Sequence, residues 1–199
     1  MISLVILGIR QASEHAFDAS VTKKEVLNIK AGDTINLKML GNDEYHKRIY
    51  HHGNSVRLVR DQNYEKIIYS SDVRLIIRST KDSLASISID KNAQGSDYQT
   101  AKRRANNINY NYKLTDQGLL LDSYLTTKIE NKFSDQEIEI ILYLPEGSIL
   151  YADDNTYSFH RNSSYYNDIL DNGMEEHYLK IIEDDVICLD CPNENYKLK

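Results

Sequence analysis

Two cysteines, Cys188 and Cys191, separated by Leu189-Asp190 and followed by Pro192, form the sharpest local motif in the chain. Such a pair admits a redox couple, half of a zinc site or a structural disulfide. A redox couple of the thioredoxin type needs its first thiol at a helix N-terminus, where the dipole lowers its pKa, whereas this motif ends the strand-like run Val186-Ile187-Cys188. Structural zinc needs four ligands, and with no second cysteine pair the other two would have to be histidines such as His160 or His177. These grounds favour a disulfide or paired structural thiols, and no metal or cofactor is expected.

The remaining polar groups make no recognisable catalytic set. The histidines, His15, His46, His51, His52, His160 and His177, show no metal-ligand spacing, and His51-His52 sits beside Gly53-Asn54 in a turn-like stretch. Acidic pairs occur at Asp153-Asp154, Glu175-Glu176 and Asp184-Asp185. Two carboxylates can share acid and base roles, and oxygen clusters can hold calcium. Adjacent residues of a strand point to opposite faces, however, so these pairs read as turn residues. A hydrolase built on Glu175, Glu176 and His177 would require all three in one pocket. No phosphate-cradling glycine loop or Ser-His-Asp signature is present, and a non-enzyme is expected.

Charge excludes a further class. The net charge of −6 provides no basic field to gather phosphates, so nucleic acid is not an expected partner. The basic clusters Lys102-Arg103-Arg104 and Lys47-Arg48 read as solvated faces of an acidic protein.

The elements that must hold these residues are strands. At 199 residues, with 41% apolar and 27% charged residues, the chain can bury one core without a disulfide framework. Tyrosine is over-used, 15 against 3 Phe and no Trp, which suits half-wet sheet surfaces. Strand-like alternation appears at Leu27 to Ile29 and Ile35 to Leu37 around Ala31-Gly32-Asp33. Further apolar runs follow at Val56–Val59, Ile67–Tyr69, Val73–Ile77 and Ala85–Ile89. Strand-turn-strand units then recur as Tyr110–Asp122, Ile138–Asp153 and Tyr178–Asp190, with turns about 30 to 40 positions apart, as in repeats that bury their apolar faces against their neighbours. The spacing predicts an all-β fold of repeated strand-turn-strand units, a β-solenoid or rack, with a β-sandwich as the alternative.

Three segments depart from this rhythm. Apolar residues at Tyr98, Ala101, Ala105 and Ile108 predict one short helix, capped by Ser96 or Asp97. The polar, tyrosine-rich stretch from Asp154 to Gly173 reads as a long loop or lid, a place where binding is often found. Residues 1 to 9 form an apolar stub. At roughly 14 Å as a helix it falls short of the about 20 apolar residues a bilayer requires. It is either the end of a transmembrane helix that begins earlier or a buried first element, and its abrupt switch to polar Gln11 favours the former. The expected division is therefore a membrane-helix tail with juxtamembrane segment at 1–19, a β-rich extracytoplasmic domain at 20–192 and a tail at 193–199.

The succession Leu121-Asp122-Ser123-Tyr124, Lys132-Phe133, Asp135-Gln136-Glu137, Leu142 to Gly147, Leu150 to Asp153, Asp171 to Met174 and Cys188 to Pro192 resembles the C-terminal domain of phage-shock-protein-C-type membrane proteins. It is similar in particular to the long Gram-negative form with a so-called toast-rack domain. It is similar, more distantly, to adhesin domains of β-solenoid type. The likeness is specific from about residue 95 onward. It implies an all-β rack placed after several membrane helices, facing the periplasm or exterior, in a protein associated with envelope stress. No catalytic residues come with it.

The function expected is a membrane-anchored sensor or interaction module that binds another envelope or membrane protein, or itself. Its expected interaction loop comprises Tyr151, Tyr157, His160, Arg161, Tyr165 and Tyr166. The alternative is a surface adhesin or glycan-binding module, with Tyr157, Tyr165 and Tyr166 stacking on sugars.

Overall fold

A computed structural model of the chain describes residues 15–41, 56–160 and 167–192. The apolar stub, His46, Lys47-Arg48, His51-His52, Arg161, Tyr165, Tyr166 and the tail from residue 193 lie outside the described residues.

The described chain is mostly strand with one short helix, an all-β fold in several sheets, none of them closed. Thirteen strands are formed: β1 (Phe17–Val26), β2 (Thr34–Leu40), β3 (Val56–Arg60), β4 (Lys66–Ser70), β5 (Val73–Thr80), β6 (Ser86–Gly95), β7 (Tyr112–Thr115), β8 (Gly118–Asp122), β9 (Leu125–Lys128), β10 (Glu137–Pro145), β11 (Ile149–Ala152), β12 (Tyr178–Ile182) and β13 (Asp185–Cys188). They assemble as a four-stranded sheet β1-β6-β10-β5, a six-stranded sheet β13-β12-β11-β2-β8-β7 and a three-stranded sheet β3-β4-β9.

Side-chain alternation builds the core. Ile35, Leu37 and Met39 of β2, Leu119 and Leu121 of β8, Leu150 and Ala152 of β11, and Leu179 and Ile181 of β12 all point to one face of the six-stranded sheet. They share one continuous cluster with Leu75 and Ile77 of β5, Ile87 and Ile89 of β6, and Ile138, Ile140, Leu142 and Leu144 of β10. A strand buried at every second residue cannot slip by one without reversing its faces, so this pattern fixes the register.

The expected repeat units fall into two kinds. Tyr112 to Asp122 and Tyr178 to Cys188 are local antiparallel hairpins, β7-β8 and β12-β13. The unit from Ile138 to Asp153 is not a hairpin: β10 lies in the four-stranded sheet, β11 in the six-stranded one, and Pro145 to Ser148 form the corner between them. The first unit behaves likewise. Leu27 and Ile29 lie beyond β1, where Leu27 N–H donates to Ala85 O at 2.8 Å and Ala85 N–H donates to Ile29 O at 2.9 Å. The corners stack: Gly32 N–H donates to Gly147 O at 3.0 Å, and Gly147 N–H donates to Ile181 O at 2.8 Å. Strands that follow one another through a corner therefore pair with other strands, giving parallel neighbours β11-β2, β2-β8 and β10-β5.

Strand β1 begins at Phe17, ahead of the boundary expected at residue 20, and pairs antiparallel with β6 from Phe17↔Gly95 to Val26↔Ser86. Its sequence carries few apolar residues because it is an edge strand, exposed along most of its length.

The predicted helix is present as α1 (Tyr98–Asn106), packed against β6 and β1. Asp97 caps it, accepting from Thr100 N–H at 2.8 Å and from the Thr100 hydroxyl at 2.7 Å. These bonds hold the Asp97 carboxyl below its usual range. Asp97→Ala is expected to cost about 1 kcal/mol of stability in urea unfolding, the ordinary worth of an N-cap. Two expectations for this helix are corrected. Tyr98 stays exposed, and Arg104, read as part of a solvated basic face, is buried and donates to Gln94 O at 2.9 Å. An arginine stem can line an apolar surface while its head finds a carbonyl. Among the described residues, no helix is long and apolar enough to cross a membrane.

Candidate functional site

The β12-β13 hairpin brings the chemistry-bearing residues of the C-terminal part together. It turns tightly at Glu183-Asp184, where Asp184 has φ 52°, and Lys81 pairs with Glu183 at that end. At its open end the cysteine motif folds back across the start of β12. Leu189 N–H donates to Tyr178 O at 2.8 Å, and Tyr178 N–H donates to Asp190 Oδ1 at 3.0 Å. Cys188 and Cys191 are joined by a disulfide across this turn. His177, immediately before β12, places Nδ1 3.3 Å from Asp190 Oδ1.

Next to this cluster lies an aromatic pair. Tyr151 of β11 and Tyr178 of β12 face each other in register, with ring centroids 5.0 Å apart. Desolvation, then the charge of Glu176, raises the Tyr151 phenol above its usual value, so it remains a neutral donor at neutral pH. Asp153, which pairs with Lys38 at 3.2 Å, adds to the acidic rim. Ile187 and Leu189 are about half exposed nearby, at 49% and 52%. The outer side of the β12-β13 edge thus offers apolar and aromatic contact area with exposed Lys180 opposite Ile187, bordered by carboxylates.

The expected interaction loop divides. Tyr151 belongs to the outer surface just described, and Tyr157, on a 3-10 turn spanning Asp154–Phe159, is 45% exposed. His160 does not share that surface. Its side chain is fully buried, with Nε2 3.1 Å from the Thr156 hydroxyl, 3.8 Å from Glu175 Oε1, and Nδ1 4.0 Å from Asp168 Oδ2. Burial lowers the imidazole to about 4, so it is neutral at pH 7.

Both described flanks of the stretch expected to be a lid are structural. His160 bridges Leu75 in parallel, Asp168 Oδ1 accepts from Ile77 N–H at 3.0 Å, and Ile169 N–H donates to Ile77 O at 3.0 Å. They cover the outer edge of β5, which would otherwise expose unpaired backbone groups. Asn155 acts similarly on β2, accepting from Met39 N–H and donating to Met39 O, both at 2.9 Å. Asn155 and Asp168 carry no signal in a periodicity, because a side chain that mimics a backbone neighbour is recognised only from its partner.

The hydrolase arrangement is not formed. Glu175 turns inward, accepting from Gly173 N–H at 2.7 Å, whereas Glu176 is exposed and His177 lies beside Asp190. The acidic pairs serve as turn residues and caps: Asp153 accepts from Asn155 N–H at 3.2 Å, and Asp184 N–H donates to the Ser79 hydroxyl at 2.9 Å.

Comparison with known proteins gives a family match and a solved structure of low similarity. No curated protein matches the chain. Among solved structures, a putative cell adhesion protein from Clostridium sporogenes ATCC 15579 is similar at 9% identity and a TM-score of 0.29, over 68% of this chain and 47% of that one. The chain thus spans about half the length of that protein. The family described as ToastRack found in some PspC matches residues 59–194, which takes in β4 to β13, the helix, the β7-β8 and β12-β13 hairpins and the cysteine motif. With well over half of its length matched, the chain belongs to the family of toast-rack domains found in some PspC proteins.

Proposed function

We propose that this domain is a non-enzymatic sensor or interaction module of a PspC-type membrane protein. In this reading it stands outside the cytoplasm as a rack of β-solenoid type, anchored by a membrane segment that includes residues 1 to 9. It engages another envelope or membrane protein, or a second copy of itself. The corners that lead the chain from one sheet into the other, and so stack strands from different units, support the solenoid form. The Cys188–Cys191 disulfide is in keeping with an oxidising compartment.

The observation that carries the interaction role is the outer surface at Tyr151, Tyr178, Ile187 and Leu189, rimmed by Glu176, Asp153 and Asp190. Aromatic rings with a polar tip supply contact area at low entropic cost, and interfaces favour them over lysine-rich surfaces. A photo-crosslinking residue at Ile187 in the membrane-anchored protein is expected to capture a defined partner or a second copy in cells. The double replacement Tyr151→Ala and Tyr178→Ala should weaken that capture at least tenfold while the domain keeps its thermal midpoint. Capture unchanged in the double variant would remove this surface from the interaction. Placement is checked separately: in intact cells, a membrane-impermeant thiol reagent should label the cysteines only after external reduction, and no labelling would count against an outward-facing domain.

The exposed rings of Tyr157 and Tyr178 favour a second reading, a surface adhesin that stacks sugars on tyrosine. Binding on a glycan array that Tyr178→Ala abolishes would select it, and an array at background would dismiss it.

A further inference from the structure

The turn that carries the disulfide also gathers a second set of donors. His177 Nδ1, Cys188 Sγ, one Asp190 carboxylate oxygen and Cys191 Sγ all lie within 4.8 Å of one another. We propose that when the disulfide is reduced, these four groups form a zinc site, so that the hairpin end exists in either a disulfide form or a metal form.

The donor chemistry suits this ion. Zinc takes thiolate sulfur at about 2.3 Å, imidazole nitrogen at about 2.0 to 2.1 Å and carboxylate oxygen at about 2.0 to 2.2 Å, usually four at the corners of a tetrahedron. Such corners are separated by less than the 4.8 Å spread of the present donors, so drawing them onto one ion requires side-chain adjustment, not refolding. The two sulfurs need only part from each other. Two thiolates and one carboxylate also select a soft-to-borderline divalent ion over calcium or magnesium, which prefer oxygen alone.

A separate observation points the same way. His177 Nδ1 is shielded from solvent and lies 3.3 Å from Asp190 Oδ1 without hydrogen-bond geometry, so the ring already faces another donor of the cluster. Asp190 meanwhile is held in place by the Tyr178 N–H, which donates to its Oδ1, as outer-shell bonds orient metal ligands. The β12-β13 ladder and the bond from Leu189 N–H to Tyr178 O hold the backbone up to Leu189, so opening the disulfide leaves the ligands on a preformed hairpin.

The exchange balances with a dithiol as reductant. Its thiolate attacks one sulfur of the Cys188–Cys191 bond, that bond breaks, and a mixed disulfide forms. Its second thiol then displaces the protein sulfur. The reductant leaves as a disulfide, two electrons having reduced Cys188 and Cys191 to thiols. Zinc binding then releases two thiol protons and leaves the metal's oxidation state unchanged. Reoxidation requires the metal to leave, so zinc protects the reduced form and the disulfide excludes zinc.

The test uses the 199-residue chain, stripped of metal, either oxidised or reduced with a phosphine and kept without oxygen. Reduced protein is expected to bind one equivalent of zinc, and cobalt in its place should show thiolate charge-transfer and tetrahedral d–d absorption. Oxidised protein should show neither. His177→Ala and Asp190→Ala should each weaken zinc binding by more than about 100-fold, beyond the roughly 10- to 100-fold that loss of an outer-shell partner costs. Cys188→Ser should at least halve the charge-transfer absorption, because only the Cys191 thiolate remains. Equal zinc uptake by oxidised and reduced protein would overturn the proposal. So would undiminished affinity in both His177→Ala and Asp190→Ala, which would leave a bare cysteine pair as the binder. These two variants keep both cysteines, so the inference stays testable even where the cysteine variant fails to fold.

Discussion

Gly118→Ala is expected to destabilise the domain by about 3 kcal/mol or more, a large share of the roughly 5 to 15 kcal/mol typical of a domain. Two effects add. Gly118 holds φ +132°, a conformation L residues rarely adopt, and a Cβ there would lie 2.2 Å from Asn36 O and 2.8 Å from Asn36 Cβ. Neither obstacle can rotate away, because the Asn36 backbone sits in β2 between β11 and β8. Relief would require β8 to withdraw from β2, which breaks the parallel pairing from Leu37↔Leu119 to Leu40↔Asp122 and unpacks Leu119 and Leu121. Gly173→Ala provides the control. It carries positive φ, +93°, but a Cβ there meets nothing within 4 Å, so only the conformational cost of about 1 kcal/mol applies. Urea unfolding of both variants should rank them in that order, and equal losses would mean that the β2-β8 contact yields more easily than its geometry implies.

Acid is expected to weaken the fold through His160. Its imidazole is lowered to about 4 in the folded protein by burial, against about 6.5 in the unfolded chain. Between these values the unfolded chain takes up a proton that the folded one refuses. This contribution to stability is therefore intact above pH 6.5, falls as the pH drops through the window from 6.5 to 4, and levels off below. The full difference is about 3 kcal/mol. Carboxylates add their own losses near the lower end, so the His160 share is read by difference. His160→Gln keeps a polar contact for Thr156 but cannot titrate in this range. Its stability at pH 7 is expected to be lower than that of the parent, and its decline between pH 6.5 and 4.5 shallower. Equal slopes would show that His160 gains a stabilising partner when charged, with Glu175 and Asp168, at 3.8 and 4.0 Å, as the available anions.

The local elements were legible wherever the apolar period was strong. The runs at Val56, Ile67, Val73 and Ala85 become β3 to β6 within a few residues of their expected positions. The helix is present with Asp97 as its cap, because the positions that bury its face and the residue that accepts its first N–H groups are all local. Strand β1 escaped because an edge strand needs few apolar residues, and β9, Leu-Thr-Thr-Lys from Leu125, because its single apolar residue gives no alternation.

The candidate site was legible only in pieces. The cysteine motif and the tyrosines were visible as residue types, but nothing in the chain order said that Tyr151 meets Tyr178, or that His177 rather than His160 lies beside the cysteines. His160 was misassigned to the surface because a polar segment reads as exposed. Its burial comes from the edge of β5, some 85 residues away, which needed covering.

The unequal repeat shows the same boundary. By itself the sequence determined that this is an all-β chain with one capped helix, an acidic surface and a cysteine pair at the end of its last strand. Those properties follow from alternation, capping and charge, each decided within a few neighbouring residues. Only the tertiary structure decided which strand-turn-strand units are hairpins and which are corners between sheets. A turn of the same composition serves both, and the choice depends on which apolar face lies opposite once the core closes. The tertiary structure likewise decided that His177 joins Cys188, Asp190 and Cys191, because the β12-β13 register brings it beside three groups that are already neighbours along the chain.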